Sequence, residues 1–333
     1  MNINDLKTKG GNVTMRRSEY RKSGMSGFTK GLLWFISIIF ILALLAIAYV
    51  AFKIYAVGGS IHNPLDRDKS ELRSKNINLK DGDPFTIALF GVDSNADRKN
   101  SGAGERSDSI MVLSLNPNKK TTEIVSIPRD TQAEIVGRGT TEKINHAYAY
   151  GGADMAVKSL EKLMGIPIDH YATVDMDGMK NMVDIIDGVD VVSNATFTMD
   201  GHQFVKGQRA HLNGEEAMSF IRSRKESGAG GDFGRQERQQ LVLQAIANKL
   251  TGITSVTNFN GIMNQVKDSV QTDLTIGDLN TIRSNYSDAN ETVNRHQLDG
   301  QGGIQGDGLY YFVPNPGSLD EIANIFKNNL EIN

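Results

Sequence analysis

Cysteine is absent from the 333 residues, which excludes disulfides, thiolate metal sites and thiol catalysis together. Without it, an exported protein must rely on its core alone. Excess charge is missing too: a net charge of −3 exerts no global pull on nucleic acid, so an anion site has to come from local clustering of arginine. Several catalytic signatures are incomplete. Gly102-Ala103-Gly104 and Gly228-Ala229-Gly230-Gly231 neither run into the Gly-Lys-Ser/Thr of a phosphate-binding loop nor complete a dinucleotide fingerprint. No serine sits in a Gly-x-Ser-x-Gly elbow, no histidine pair has zincin spacing, and Asp175-Met176-Asp177-Gly178 lacks the remaining ligands of an EF-hand loop. His146 and His170 read as structural, and no helix-turn-helix with a basic face is visible.

What is present begins with an apolar run. Residues 32–52, LLWFISIIFILALLAIAYVAF, carry no charge and as a helix would extend about 30 Å, the hydrocarbon thickness of a bilayer. Arg16, Arg17, Arg21, Lys22 and Lys30 precede it against a single Glu19, which places the N-terminus in the cytoplasm and the bulk of the chain outside. Ala46-Ile47-Ala48 fits a signal-peptidase pattern, but it lies inside an apolar run longer than the usual ~7–15 residues, so an uncleaved anchor is the better reading. The expected organisation is a cytoplasmic tail at 1–31, a transmembrane anchor at 32–57, a stalk at 58–83 with a short helix around 66–75, and one extracellular domain at 84–333.

Within that domain, strand-like runs at 86–90, 110–115, 123–127, 170–174 and 189–192 alternate with helical patterns at 153–164 and 176–186. The alternation predicts an α/β fold, an α-β-α sandwich around a central mixed sheet. Asn116-Pro117-Asn118 marks a hairpin, and Gly165-Ile166-Pro167 ends a helix. Residues 196–214 read as irregular. Asn213 then caps a helix at 214–221 with Glu215 and Glu216 in its first turn, and a second helix follows at 235–250. Further helices are expected at 256–270 and 318–330, with strands at 293–298 and 309–313.

The stretch from Phe85 to Asp130 organises the chemistry. Its three apolar runs empty into, or start from, Gly91-Val92-Asp93, Arg106-Ser107-Asp108 and Pro128-Arg129-Asp130, so strands lying side by side would place these charges on one edge. Asp93 and Asp108 are candidate ligands for a hard divalent cation completed by phosphate oxygens, or simply turn-capping aspartates. Arg106, Arg129, Arg222, Arg224, Arg235 and Arg238 fall in three blocks at element ends or in loops, and guanidinium forks suit phosphate oxygens. Any one alone reads as a solvated surface side chain. Their joint concentration around two aspartates favours an anion site. Arg235 and Gln239 share a helix face by i, i+4 spacing.

These blocks, together with Lys143-Ile144-Asn145-His146-Ala147-Tyr148, His211-Leu212-Asn213-Gly214, Arg222-Ser223-Arg224-Lys225 and the run from Asp232 to Gln239, resemble the LytR-CpsA-Psr family of cell-wall glycopolymer ligases. The resemblance covers about 83–250, in order, and agrees with a single N-terminal anchor. It implies a membrane-bound extracytoplasmic phosphotransferase of a Gram-positive bacterium, moving an anionic glycopolymer such as teichoic acid or capsule from an undecaprenyl-pyrophosphate carrier to peptidoglycan. By motif position, Asp93 and Asp108 would hold Mg²⁺ (or Mn²⁺). Arg106, Arg129, Arg222, Arg224, Arg235 and Gln239 would bind the pyrophosphate, with Arg129, Asp108 and Arg235 as the catalytic set and an apolar tunnel for the prenyl chain. Asn95 stands where the family pattern leads one to expect arginine. Alternatives of another kind are a membrane-anchored transcriptional regulator, a non-catalytic wall-binding module and a polyprenyl-pyrophosphate pyrophosphatase without ligase activity; no nucleic-acid partner is expected.

Overall fold

Strand β1 (Phe85–Val92) alternates: Ala88, Phe90 and Val92 are buried, while Ile87, Leu89 and Gly91 between them are half-buried. This period-2 pattern makes a strand with two unequal faces. β2 (Ser107–Asn116) and β3 (Thr121–Ile127) pair antiparallel through a turn at 117–120, where Lys120 takes a positive φ of 56° and Asn116 accepts the Lys119 amide, as the Asn-Pro-Asn signal predicts. The computed structural model describes residues 61–92, 105–252 and 269–332, and it is to these that the following refers.

After β3 comes a hairpin of β4 (Gln132–Ile135) and β5 (Thr140–Lys143), then helix α1 (Asn145–Met164), broken at Gly151 and Gly152 and ended by Gly165 in the left-handed region. β6 (His170–Asp175), α2 (Met176–Ile185) and β7 (Val189–Val192) follow. The stretch expected to be irregular instead forms β8 (Phe197–Met199), β9 (His202–Phe204) and β10 (Arg209–Leu212), the last paired to β7. Helix α3 (Gly214–Arg222) starts at a capping box in which Asn213 and Glu216 satisfy each other's backbone amides. α4 (Gly231–Gly252), β11 (Val270–Thr272), α5 (Ile276–Asn285), β12 (Thr292–Gln297), β13 (Gly300–Ile304), β14 (Tyr310–Pro314) and α6 (Pro316–Asn329) complete the described chain. Val270, expected at the end of a helix, opens β11; the rest of that helix, apart from Ser269, and the anchor at 32–57 lie outside the described residues. Among the described residues no helix is long and apolar enough to cross a membrane.

The central sheet is mixed, in the order β11-β6-β1-β2-β3-β12. β1 pairs antiparallel with β2 and parallel with β6, and β3 pairs parallel with β12. One face, with Ala88, Val112, Val125 and Tyr171, packs on α1 and α6 through Val157, Leu160 and Phe326, which are fully buried. A satellite core forms where α2, α3 and α4 close over β7–β9 around Phe197, Phe204 and Phe220. The opposite sheet face meets α5 through Phe85 and Tyr286, whose rings stand edge to face at 5.0 Å.

The segment expected as a stalk differs from 61 onward. Ile61 is 1% exposed, Arg67 grips Glu161 at 2.5 and 3.1 Å, and Arg73 grips Asp169 at 2.9 and 2.5 Å, so residues 61–83 lie against the domain in bends and turns, not in a helix around 66–75. Bidentate pairing is what lets these arginines be buried at all.

Candidate functional site

Register alone brings the charged ends together. Gly91 faces Ser109, Ile110 faces Ile127, and Gln297 lies beside Ser126, so the end of β1, the start of β2 and the ends of β3 and β12 share one sheet edge. Asp108 sits on this edge as the second residue of β2, and Arg129 follows β3. They form an ion pair at 2.9 Å. Asp93 and Asn95, after β1, lie outside the described residues.

Helix α4 completes the cluster from far along the chain. Ser109 Oγ donates to Gln239 Oε1 at 3.0 Å, and one residue on, Gln240 Nε2 donates to the buried Ser126 Oγ at 2.8 Å. These bonds seat the start of α4 on the edge. The two distant segments therefore meet at one sheet edge. Arg235 pairs with Asp232 one turn earlier at 2.6 Å, and Asp232 also takes Arg224 at 2.5 Å. Asp232 is thus a bridging residue that sequence reasoning missed, although its i, i+3 spacing to Arg235 was visible.

The electrostatics favour an anion. Burial pushes the Arg235 guanidinium below its ordinary value, and the positive charges of Arg224 and Arg129 push the same way against Asp232 and Asp108. Its Nε is buried without a hydrogen-bond partner among the described residues. Arg129 is also desolvated, yet Asp108 and Asp130 beside it hold it above its ordinary value. Asp130 is shared with Lys143, 2.9 Å away.

Not every expected residue joins. Arg106 is exposed and lies on the side of Tyr150, whose hydroxyl it acts on electrostatically. Arg222, at the end of α3, is exposed and makes no side-chain bond among the described residues. Arg238 proves structural. It is fully buried and donates to the carbonyls of Phe220 at 2.9 Å, Ala229 at 2.9 Å and Ser223 at 2.6 Å, and to Asn194 Oδ1 at 3.2 Å, with its plane over the Phe197 ring at 4.7 Å. Burial lowers it to about 10, still charged at neutral pH. Its donors tie the loop of 223–229 to α4 and leave nothing for a ligand.

A divalent cation can be tested against the donors present. Among the described residues there is no group of three or more His, Asp or Glu that could hold a metal alone. Asp108 offers one carboxylate oxygen beyond that held by Arg129. A single carboxylate fits an ion such as Mg²⁺ that takes most of its ligands from phosphate and water.

Comparison with known proteins bears on this geometry. The LytR_cpsA_psr family model matches residues 48–328. A Bacillus mycoides (strain KBAB4) protein named polyisoprenyl-teichoic acid–peptidoglycan teichoic acid transferase TagU is 38% identical over 308 residues, 91% of this chain and 98% of its own. The crystal structure of B. subtilis TagU superposes with a TM-score of 0.62 at 36% identity, covering 75% of this chain and 98% of that one. A structure of TagT bound to LIIa-WTA gives 0.67 at 29% identity, covering 81% and 100%.

Proposed function

We infer the reaction from one established premise: the chain belongs to the LytR-CpsA-Psr family. It transfers an anionic glycopolymer, of the teichoic-acid class by likeness to the transferases named above, from a polyisoprenyl-pyrophosphate carrier to peptidoglycan, leaving a phosphodiester. The observation that carries this is Arg235: a buried guanidinium with an unpartnered Nε, flanked by Arg129 and Arg224 and seated on the sheet edge by the Ser109–Gln239 bond. A largely buried guanidinium with an open donor, beside two further arginines, is matched by a pyrophosphate.

An acceptor hydroxyl of peptidoglycan attacks the phosphorus that bears the sugar, a P–O bond forms, and the P–O bond to the lipid-side phosphate breaks, releasing polyprenyl phosphate. Arg129, Arg224 and Arg235 hold the pyrophosphate oxygens and spread the charge that develops on them. Gln239 joins these arginines from α4, while Arg106 and Arg222 are exposed cations that would reach in to the donor's phosphates. Asp108 orients Arg129 and, with Asp93, would hold Mg²⁺ or Mn²⁺, which when bound neutralises phosphate charge. Half-buried Leu89 and Leu113 in the middle of the sheet, outside the three cores, offer an apolar face to the prenyl chain. The span at 32–57 tethers the enzyme, N-terminus inside and domain outside, to the membrane that carries the donor, which raises their effective concentration.

The test is transfer from a purified polyprenyl-pyrophosphate glycolipid to peptidoglycan by the full chain in detergent. Arg129→Ala should lower transfer by about 10²–10³-fold while circular dichroism stays native. Undiminished transfer by the variant would sink the assignment, and release of phosphate-terminated polymer without linkage to peptidoglycan would make the protein a pyrophosphatase.

A further inference from the structure

A cavity of about 760 Å³ adjoins the phosphate cluster, and none of the roles above uses it. It opens between α4, the loops at 194–196 and 228–230, and the end of β12. Its position follows from two facts. α4 turns Arg235 and Gln239 toward the phosphate cluster and offers the next residues along, Gln236 and Gln240, to the cavity. The β12 end that lines it, Arg295 to Gln297, runs beside Ile124 to Ser126, three residues before Arg129.

The lining has a consistent chemistry. Gln236 is only 8% exposed as a residue, and its side-chain amide makes no hydrogen bond among the described residues but opens onto the cavity. An amide that faces a cavity and is not used by the fold is available to a ligand. Gln240 donates to Ser126 but its carbonyl oxygen is uncommitted, and Gln297 is exposed with its amide free. Phe233 presents an aromatic face that is 46% exposed at the cavity wall. Among the described residues, Lys206 projects from the wall without an ion pair and Arg295 is held by Gln244 alone. The cavity's carboxylate, Glu237, is already occupied by the Asn194 amide at 2.7 Å.

We propose that this cavity is a binding subsite for the polymer part of the donor, a chain of sugars joined by phosphodiesters. It rests on the transfer reading above and deepens it. Amides and an aromatic face suit sugar hydroxyls, acetamido groups and ring faces; Lys206 and Arg295 suit the intervening phosphates. The pyrophosphate cluster grips what every carrier-linked donor shares, whereas the cavity reads what differs between polymers.

Binding can be measured without turnover. A lipid-free synthetic oligomer of N-acetylglucosamine units linked by phosphodiesters is titrated into the full chain in detergent by calorimetry, alongside an uncharged oligosaccharide of equal length and a peptidoglycan disaccharide-peptide. The charged oligomer should bind, and Lys206→Ala or Phe233→Ala, both at exposed positions, should each weaken it about three- to tenfold; Gln236→Ala should do so by a similar factor. The uncharged chain should bind at least tenfold more weakly. Equal binding by wild type and the Lys206 and Phe233 variants, no binding to wild type, or preference for the peptidoglycan fragment would each overturn the subsite. If the wild type binds the oligomer but transfers nothing, the subsite stands and the reaction fails.

Discussion

Two arginines three residues apart on α4 make the most instructive comparison in the molecule. Arg238 is sealed, with four hydrogen bonds and an aromatic ring beneath it. Arg235 is almost as hidden, with a side chain 18% exposed, yet it has one ion pair, an orphaned Nε and two further arginines acting on it. Both lie in the same motif. The difference is whether the protein itself completes the guanidinium. Where it does, the charge belongs to the fold; where it does not, the charge is kept for something that binds.

The sharpest way to break this comparison is to remove each charge in turn. Arg235→Ala should cost about 10³-fold in transfer, equal to ~4 kcal/mol of transition-state binding, with the denaturation midpoint nearly unchanged. Arg238→Ala should do the reverse. It takes the side-chain donor from the buried carbonyls of Ser223 and Ala229, leaves Phe220 O with Ser223 Oγ alone, and opens a void beside Phe197 and Phe220, so it should lose about 3–4 kcal/mol in urea unfolding. The fraction that remains folded should transfer within a few-fold of wild type. If Arg238→Ala were stable and inactive, the division between structural and functional arginines would be wrong.

A second pair of sites extends the contrast to the sealed type. Asp169 is 5% exposed at its side chain and accepts from Arg73, the Thr86 amide and the Thr86 hydroxyl, which pins residues 61–83 to β1. Asp169→Asn removes that charge pairing and sets an amide donor against Arg73 and Thr86. The expected loss is about 2–3 kcal/mol, with transfer per folded molecule preserved. Loss of transfer at full stability would give this pair a part in function.

Sequence reading went furthest where local signals and tertiary use agree. The run at 189–192 is β7 at both ends, Asn213 caps α3, and the strands at 86–90, 110–115 and 123–127 lie within β1–β3 because their apolar runs are what the sheet buries, β1 in alternation and β3 on both faces from Thr122 to Ile127. It failed where pairing alone makes the structure. β4, β5 and β8–β10 are three or four residues long, too short for a period to show, so little but their partners marks them as strands. The first turns of α1 were hidden by Gly151 and Gly152, which break the helix but do not end it. Half of the site was legible in the same way: Asp108, Arg129, Arg224, Arg235 and Gln239 converge. The rest was not, because a motif does not say which way a guanidinium turns. Arg238 faces inward, Arg222 faces solvent, and only the packed helix distinguishes them.

The smallest expected effect tests the sealed class near the site. Hydrogen bonds from His146 and Thr140, joined by Tyr150, hold the Glu142 carboxyl down at about 2, against an ordinary value of 4.5. A carboxyl depressed in the folded state binds fewer protons than in the unfolded chain between those two values. Its contribution is therefore complete above about 4.5 and is lost as the pH falls toward 2. With the side chain 23% exposed, solvent screening keeps the effect modest. Stability measured by urea unfolding from pH 5 to 2.5 should fall less steeply in Glu142→Gln than in wild type, and transfer at neutral pH should change by less than about threefold. An unchanged slope would show that Glu142 does not titrate as its three donors require, and a large loss of transfer would move it from the completed side of the comparison to the side of Arg235.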